Sequence, residues 1–189
     1  MAAKKDVMLE LLLLTDEPME LFTISTEDQL VYFINDIERV VRQSREYRAW
    51  CYYMKAKQEQ SSDVFTGYDS YEYNLTLEIH HVIFLYDIVY ITGLSMLNKL
   101  TDTEDGYSTF QIADQVIRDH MAGIIPIVPM LKSYHEMYHE KLIEFEPKDI
   151  FGDYQKWLDK YSDVISEYKM KEFRSNLLLD VEELKISIV

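Results

Sequence analysis

GIIPIVPMLKSYHEMYH, residues 123–139, changes character half-way along. The first half is apolar and carries Pro126 and Pro129. Each proline removes a backbone donor and biases the residue before it away from the helical region, so IIPIVP (124–129) reads as an extended apolar link. The second half reads as a helix, and a spacing of four puts His135 and His139 on one face of it. Two imidazoles one turn apart on a rigid element are an economical start to a metal site, because each offers a neutral nitrogen at a fixed direction. On a plainer reading Met137, Tyr138 and Leu142 are core residues of this helix and its histidines bind nothing.

His135-Glu136-Met137-Tyr138-His139 also spells HExxH, the pattern of zinc proteases in which the glutamate activates water. That chemistry needs a third ligand, and such helices usually carry an uncharged residue where Glu140 stands. It also leaves a second histidine pair unexplained. NLTLEIHHVIF (74–84) reads as a strand, with Leu75, Leu77 and Ile79 alternating with Thr76, Glu78 and His80. Neighbouring strand residues point to opposite faces, so His80 and His81 cannot both meet the helix, and a division of labour between them is implied. The plain alternative is that both pairs are hydrogen-bonded core or surface histidines.

Working outward, STEDQL (25–30) is a helix start: Thr26 with Gln29, or Ser25 with Asp28, can form a capping box. Apolar residues then recur at helical spacing from Leu30 to Met54, predicting one helix to about Lys57. QEQSSDVFTGYDS (58–70) breaks it. Residues 85–99 read as a helix and TDTEDGYS (101–108) as a turn. Ser108 and Gln111 open a helix that runs through Met121 and stops at Gly123. Amphipathic helices follow Pro147, while the tail LLLDVEELKISIV reads equally as helix or strand. The apolar run Val7–Leu14, interrupted by Glu10, is too short to span a bilayer and has no small-residue cleavage site, so it reads as a buried helix or strand.

Composition narrows the function classes. The 189 residues carry 19 basic and 34 acidic side chains, a net charge of −15. Such a surface is repelled by phosphate backbones and favours basic protein partners. The local exception is the helix bearing Arg39, Arg42, Arg45, Arg48, Lys55 and Lys57. Cys51 is the only cysteine, which excludes intrachain disulfides and any cysteine-based zinc knuckle and suits a reducing compartment. Fifteen tyrosines are enough to furnish an aromatic interface as well as a core.

SDVFTGYDS (62–70), LEIHHVI (77–83) and GIIPIVPMLKSYHEMYH (123–139) occur in an order that resembles the HNH, or ββα-metal, endonucleases over roughly residues 45–142. The resemblance implies an α+β, mostly helical chain with an HNH-like core at 45–144. An N-terminal segment, 1–44, and a C-terminal helical extension, 145–189, would flank it. It implies that His80, His135 and His139 hold one divalent cation, or are the vestige of such a site. It also implies that His81 is the general base if the protein cuts DNA. The sequence departs from that pattern: Asp63, Val128 and Tyr134 stand where knuckle cysteines often do, and the orienting asparagine falls near Gly123.

Length, acidity and a degenerate HNH-like core between helices are also similar to a family of small staphylococcal phage proteins that bind the primary sigma factor of host RNA polymerase. That resemblance implies a binding protein of the host cytoplasm. It would dock on the basic helix-turn-helix of sigma region 4 and inhibit or redirect transcription, with weak or indirect DNA contact. Its interface would lie in residues 1–44 or 145–189. The alternative is an active metal-dependent endonuclease with His81 as base.

Overall fold

The computed structural model describes residues 11–14, 21–24, 26–56, 61–70, 72–99 and 107–177. The chain is mixed α+β and mostly helical, as the sequence leads one to expect. A three-stranded sheet joins β1 (Leu11–Leu14), β2 (Leu21–Ile24) and β4 (Tyr107–Ser108) in the order β2-β1-β4, with β1 parallel to β4. Part of the Val7–Leu14 run is therefore strand. The tail from residue 178 onward and the 101–106 turn lie outside the described residues.

The long helix expected over 26–57 is two helices, α1 (Glu27–Gln43) and α2 (Arg45–Ala56). α1 opens with the Thr26–Gln29 capping box, both halves of which form. Ser44 makes the break. Its backbone is extended at φ −61°, ψ 146°, and its N–H closes α1 on Val40 and Val41. Its hydroxyl then donates to the Val41 carbonyl and accepts from the Tyr47 N–H, so one side chain ends one helix and caps the next. Apolar periodicity is nearly continuous across the junction and does not register the bend.

α3 (Leu85–Leu97) is apolar on nearly every side and runs through the core. It packs on α1 and on α4 (Thr109–Met121), with Gly93 letting the Ile112 side chain approach. α4 begins at the Ser108–Gln111 capping box and ends where Gly123 adopts φ +68°, as its sequence indicates. α6 (Tyr154–Lys160) and α7 (Glu167–Asn176) close the far side through Trp157, Tyr161 and Phe173. Their link to α4 is polar: buried Asp119 accepts from Lys160 and Tyr161, each at 2.5 Å. One continuous apolar core runs from Ile24 to Leu177. Among the described residues no helix is long and apolar enough to cross a membrane.

The remaining elements position the histidines. β3 (Leu77–His81) pairs antiparallel with β5 (Ile127–Leu131), and α5 (Lys132–His139) leaves β5 without a loop. The segment expected as an apolar link is thus β5, despite Pro129. The Pro129 carbonyl accepts from the Val64 N–H on the outer edge, and a strand residue's two backbone groups point the same way. The missing N–H of Pro129 therefore also faces outward, and the β3 ladder loses nothing. Asp63, fully buried, fastens the 61–70 loop to this unit. One carboxylate oxygen accepts from the Leu131 N–H at 2.8 Å and the other from the Thr66 N–H and hydroxyl.

Candidate metal centre

Period two along β3 puts Ile79 and His81 on the face that meets the core helices and Glu78 and His80 on the face toward α5. His80 is 4% exposed, with the Tyr138 ring 4.7 Å away by centroid, and its Nδ1 lies 3.1 Å from Nε2 of His135. That same Nε2 is 3.0 Å from Nε2 of His139, which reaches in from solvent one turn further along α5. One ligand atom from each of the three residues falls within 4.8 Å of the other two.

The protonation pattern can be assigned. A carboxylate can only accept, so the 2.6 Å contact between His135 Nδ1 and Glu78 Oε2 places the proton on Nδ1. In the neutral ring the Nε2 lone pair is then bare and aimed at the other two imidazoles. His80 is held neutral. Burial, reinforced by the neighbouring His135 and His139, pushes its pKa down to about 3.

Three imidazole nitrogens this close either share N–H···N hydrogen bonds or surround a cation. Metal bonds of about 2.05 Å at tetrahedral angles separate their donors by roughly 3.3 Å, close to the two spacings observed. An all-imidazole donor set suits a borderline transition ion such as Zn²⁺ over Mg²⁺ or Ca²⁺, which prefer oxygen. An ion held by three protein ligands would have room for a further ligand. Beside His139 lies a cleft of about 470 Å³, with Phe84, Tyr138 and Phe145 on its walls and Lys141 at its edge.

His81 is not brought to this cluster. It points to the opposite face of β3, buried, with its ring 14° from parallel to Tyr47. Its Nε2 is 3.0 Å from Nε2 of His120. His120 Nδ1 donates to the Val116 carbonyl at 2.7 Å, so its Nε2 is the acceptor and His81 donates. Both rings are kept neutral by burial: the pKa of His120 falls to about 4, and that of His81 lies well below the ordinary range. The position expected to supply a general base beside the metal supplies a core hydrogen bond, because alternation along a regular strand leaves it no other side.

Other expected fittings also take structural roles. Gly123 is the turn residue after α4, and Asp63 is the clamp on β5. Val128 is wholly buried in β5, and Tyr134 packs on Phe65. Glu136 faces solvent near Lys132, 3.9 Å away. Part of the basic stretch is paired: Arg39 with Asp36 and Arg42 with Glu38, while Arg48 donates to the Arg42 carbonyl. Two functional residues escaped the sequence reading. Glu78 had a signal, since it stands two before His80 on one strand and must share its face. His120 is a lone histidine on an apolar helix face and had none.

The family described as Bacteriophage G278-like virion protein matches residues 4–185. No curated protein and no solved structure gives a significant match. With nearly the whole chain covered, the protein belongs to that phage family.

Proposed function

We propose that this phage protein acts by docking on a basic protein partner, with sigma region 4 of host RNA polymerase as the candidate. In this reading an ion on His80, His135 and His139 pins β3 to α5. The observation that carries the reading is the withdrawal of His81 into the core. An ion bound by the triad would polarise its open-position ligand, but no second free imidazole stands beside it to take a proton. Pairing of Arg39 with Asp36 and of Arg42 with Glu38 adds to this, since it reduces the cationic surface offered to a phosphate backbone. A net charge of −15 would steer the protein toward a basic helix-turn-helix. The family description names a virion protein. Carriage in the particle would deliver the protein into the host cytoplasm with the genome, and peptide mass spectrometry of purified particles checks that point.

The test has two parts. Purified sigma region 4 is titrated against the wild type and His135→Ala, and supercoiled plasmid is incubated with both in Zn²⁺, Ni²⁺, Mn²⁺ or Mg²⁺. Docking predicts that sigma region 4 binds and plasmid stays intact. The endonuclease reading keeps one specific support, the exposed edge of His139 and its open coordination position. Metal-dependent nicking that His135→Ala abolishes would establish it and sink the docking proposal. His81→Ala is the wrong probe, because it disturbs the core whether or not DNA is cut.

A further inference from the structure

α5 ends in a tight left-handed turn. The Lys141 N–H donates to the Tyr138 carbonyl at 2.9 Å, and the Leu142 N–H donates to the Met137 carbonyl at 3.0 Å. Lys141 itself adopts φ +58°, where a side chain is strained and glycine is usual. α4 closes with the same pair of bonds, from Gly123 to His120 and from Ile124 to Asp119, and there the turn residue is glycine at φ +68°. Glycine at 141 would serve the turn better. Among the described residues Lys141 makes no ion pair, and it lines the cleft beside His139. A strained, unpaired cation at the edge of a cleft is what a binding site for an anion requires.

The cleft and the triad share a wall. His139 belongs to both. The Tyr138 and Phe145 rings stack 28° from parallel with centroids 5.0 Å apart. Both line the cleft, and they stand 4.7 and 6.3 Å from the His80 ring. Phe84, 56% exposed, adds a third aromatic wall. A space of about 470 Å³ bounded this way is of a size for a small organic molecule, and its aromatic faces suit a flat apolar body. Charge selects the head. Three neutral imidazoles leave a divalent ion its full charge. That ion and Lys141 outweigh Glu144 of the lining and Glu78 behind His135 by one positive charge, and the other lining residues are uncharged. A carboxylate answers that balance and is also an oxygen ligand such an ion accepts.

We propose that the cleft beside the triad binds a small, flat organic carboxylate, its head shared between the ion and Lys141 and its body against Phe84, Tyr138 and Phe145. The inference rests on the ion proposed for the triad, and not on the choice of protein partner.

The probe is naphthoate, titrated against the full chain loaded with cobalt(II), whose visible absorption responds to a new ligand on the metal. Metal uptake is measured first, by calorimetry. Naphthoate is expected to shift the cobalt bands and to bind the metal-free chain far more weakly. Lys141→Gly should weaken naphthoate roughly tenfold by removing a charge-assisted contact. It should leave metal uptake unchanged and the melting temperature no lower, because glycine suits the turn. Phe84→Ala, at an exposed wall, should cost several-fold, and Tyr168→Ala on α7 nothing. Equal binding of the uncharged naphthamide, unmoved cobalt bands, or indifference to Lys141→Gly overturns the proposal. So does displacement of naphthoate by a lower concentration of inorganic phosphate, which assigns the site to a phosphate head. If the wild type takes up no metal, the triad reading has failed and the carboxylate site falls with it. If metal binds and naphthoate does not, the cleft alone is wrong and the triad stands.

Discussion

At the scale of single residues, the adjacent histidines of β3 have opposite fates, and the difference is measurable. His135→Ala removes a ligand and should abolish stoichiometric zinc uptake in calorimetry. Glu78→Gln keeps the volume but weakens the acceptor that fixes the His135 tautomer, and should lower zinc affinity by roughly 10- to 100-fold. Equal zinc affinity in Glu78→Gln and wild type would remove Glu78 from the site. His81→Ala leaves a cavity and an orphaned acceptor on His120, so a loss of about 2–4 kcal/mol in denaturant unfolding is expected, with zinc affinity nearly unchanged. The burial of His120 also sets a pH dependence. Its folded pKa of about 4 lies below the ordinary value of 6.5, so the unfolded chain binds a proton the folded one refuses. Stability is complete above pH 6.5 and falls as pH drops toward 4. Denaturant midpoints of the chelator-treated protein that stay level between pH 6.5 and 5 would contradict this. The sequence reached the division of labour between His80 and His81 by strand alternation alone. It missed that one side of that strand is helical core, because only tertiary packing determines what a strand face meets.

At the scale of elements, the places where the sequence misled are those where one side chain or one edge overrides periodicity. Capping boxes at Thr26 and Ser108 and the glycine stop at Gly123 were legible because they are local chemistry. The bend at Ser44 was not, since a serine between two amphipathic stretches looks the same whether its hydroxyl faces solvent or caps a new helix. Nor was β5, whose proline is tolerated only because its position faces away from β3. Gly152 is the sharpest case of a local demand set from outside. Its φ is +107°, and a Cβ there would lie 2.3 Å from the Ile125 carbonyl oxygen. Gly152→Ala should therefore displace the Phe151–Ile127 bridge and destabilise the fold by several kcal/mol, at roughly the large end of single substitutions. A thermal melt within a degree of wild type would show that the backbone yields freely.

At the scale of the whole molecule, the triad draws its ligands from β3 and α5, elements more than fifty residues apart in the chain. An ion bound only in the folded state adds stability by mass action, about 2.7 kcal/mol at a free concentration one hundred times Kd. For a chain of this size that corresponds to roughly 5–10 °C in Tm. Removing metal with a chelator should lower the melting temperature of the wild type by that amount and leave His135→Ala unmoved. Identical melts with and without zinc would deny the ion any structural part.

The back-to-back histidines of β3 have a further consequence for how the chain finds its native pairing. Sliding β3 by one residue against β5 would still deliver an imidazole to each face, because positions 80 and 81 carry the same side chain. The histidines alone are thus blind to a misthreaded isomer. What distinguishes the two is the company they keep: the slip would set Ile79 against His135 in place of Glu78 and turn buried Leu77 out to water. The carboxylate and the leucine act as a proofreading pair for strand alignment. Leu77→Ala chains should therefore sort themselves into the correct alignment more slowly than the wild type, as followed by stopped-flow refolding.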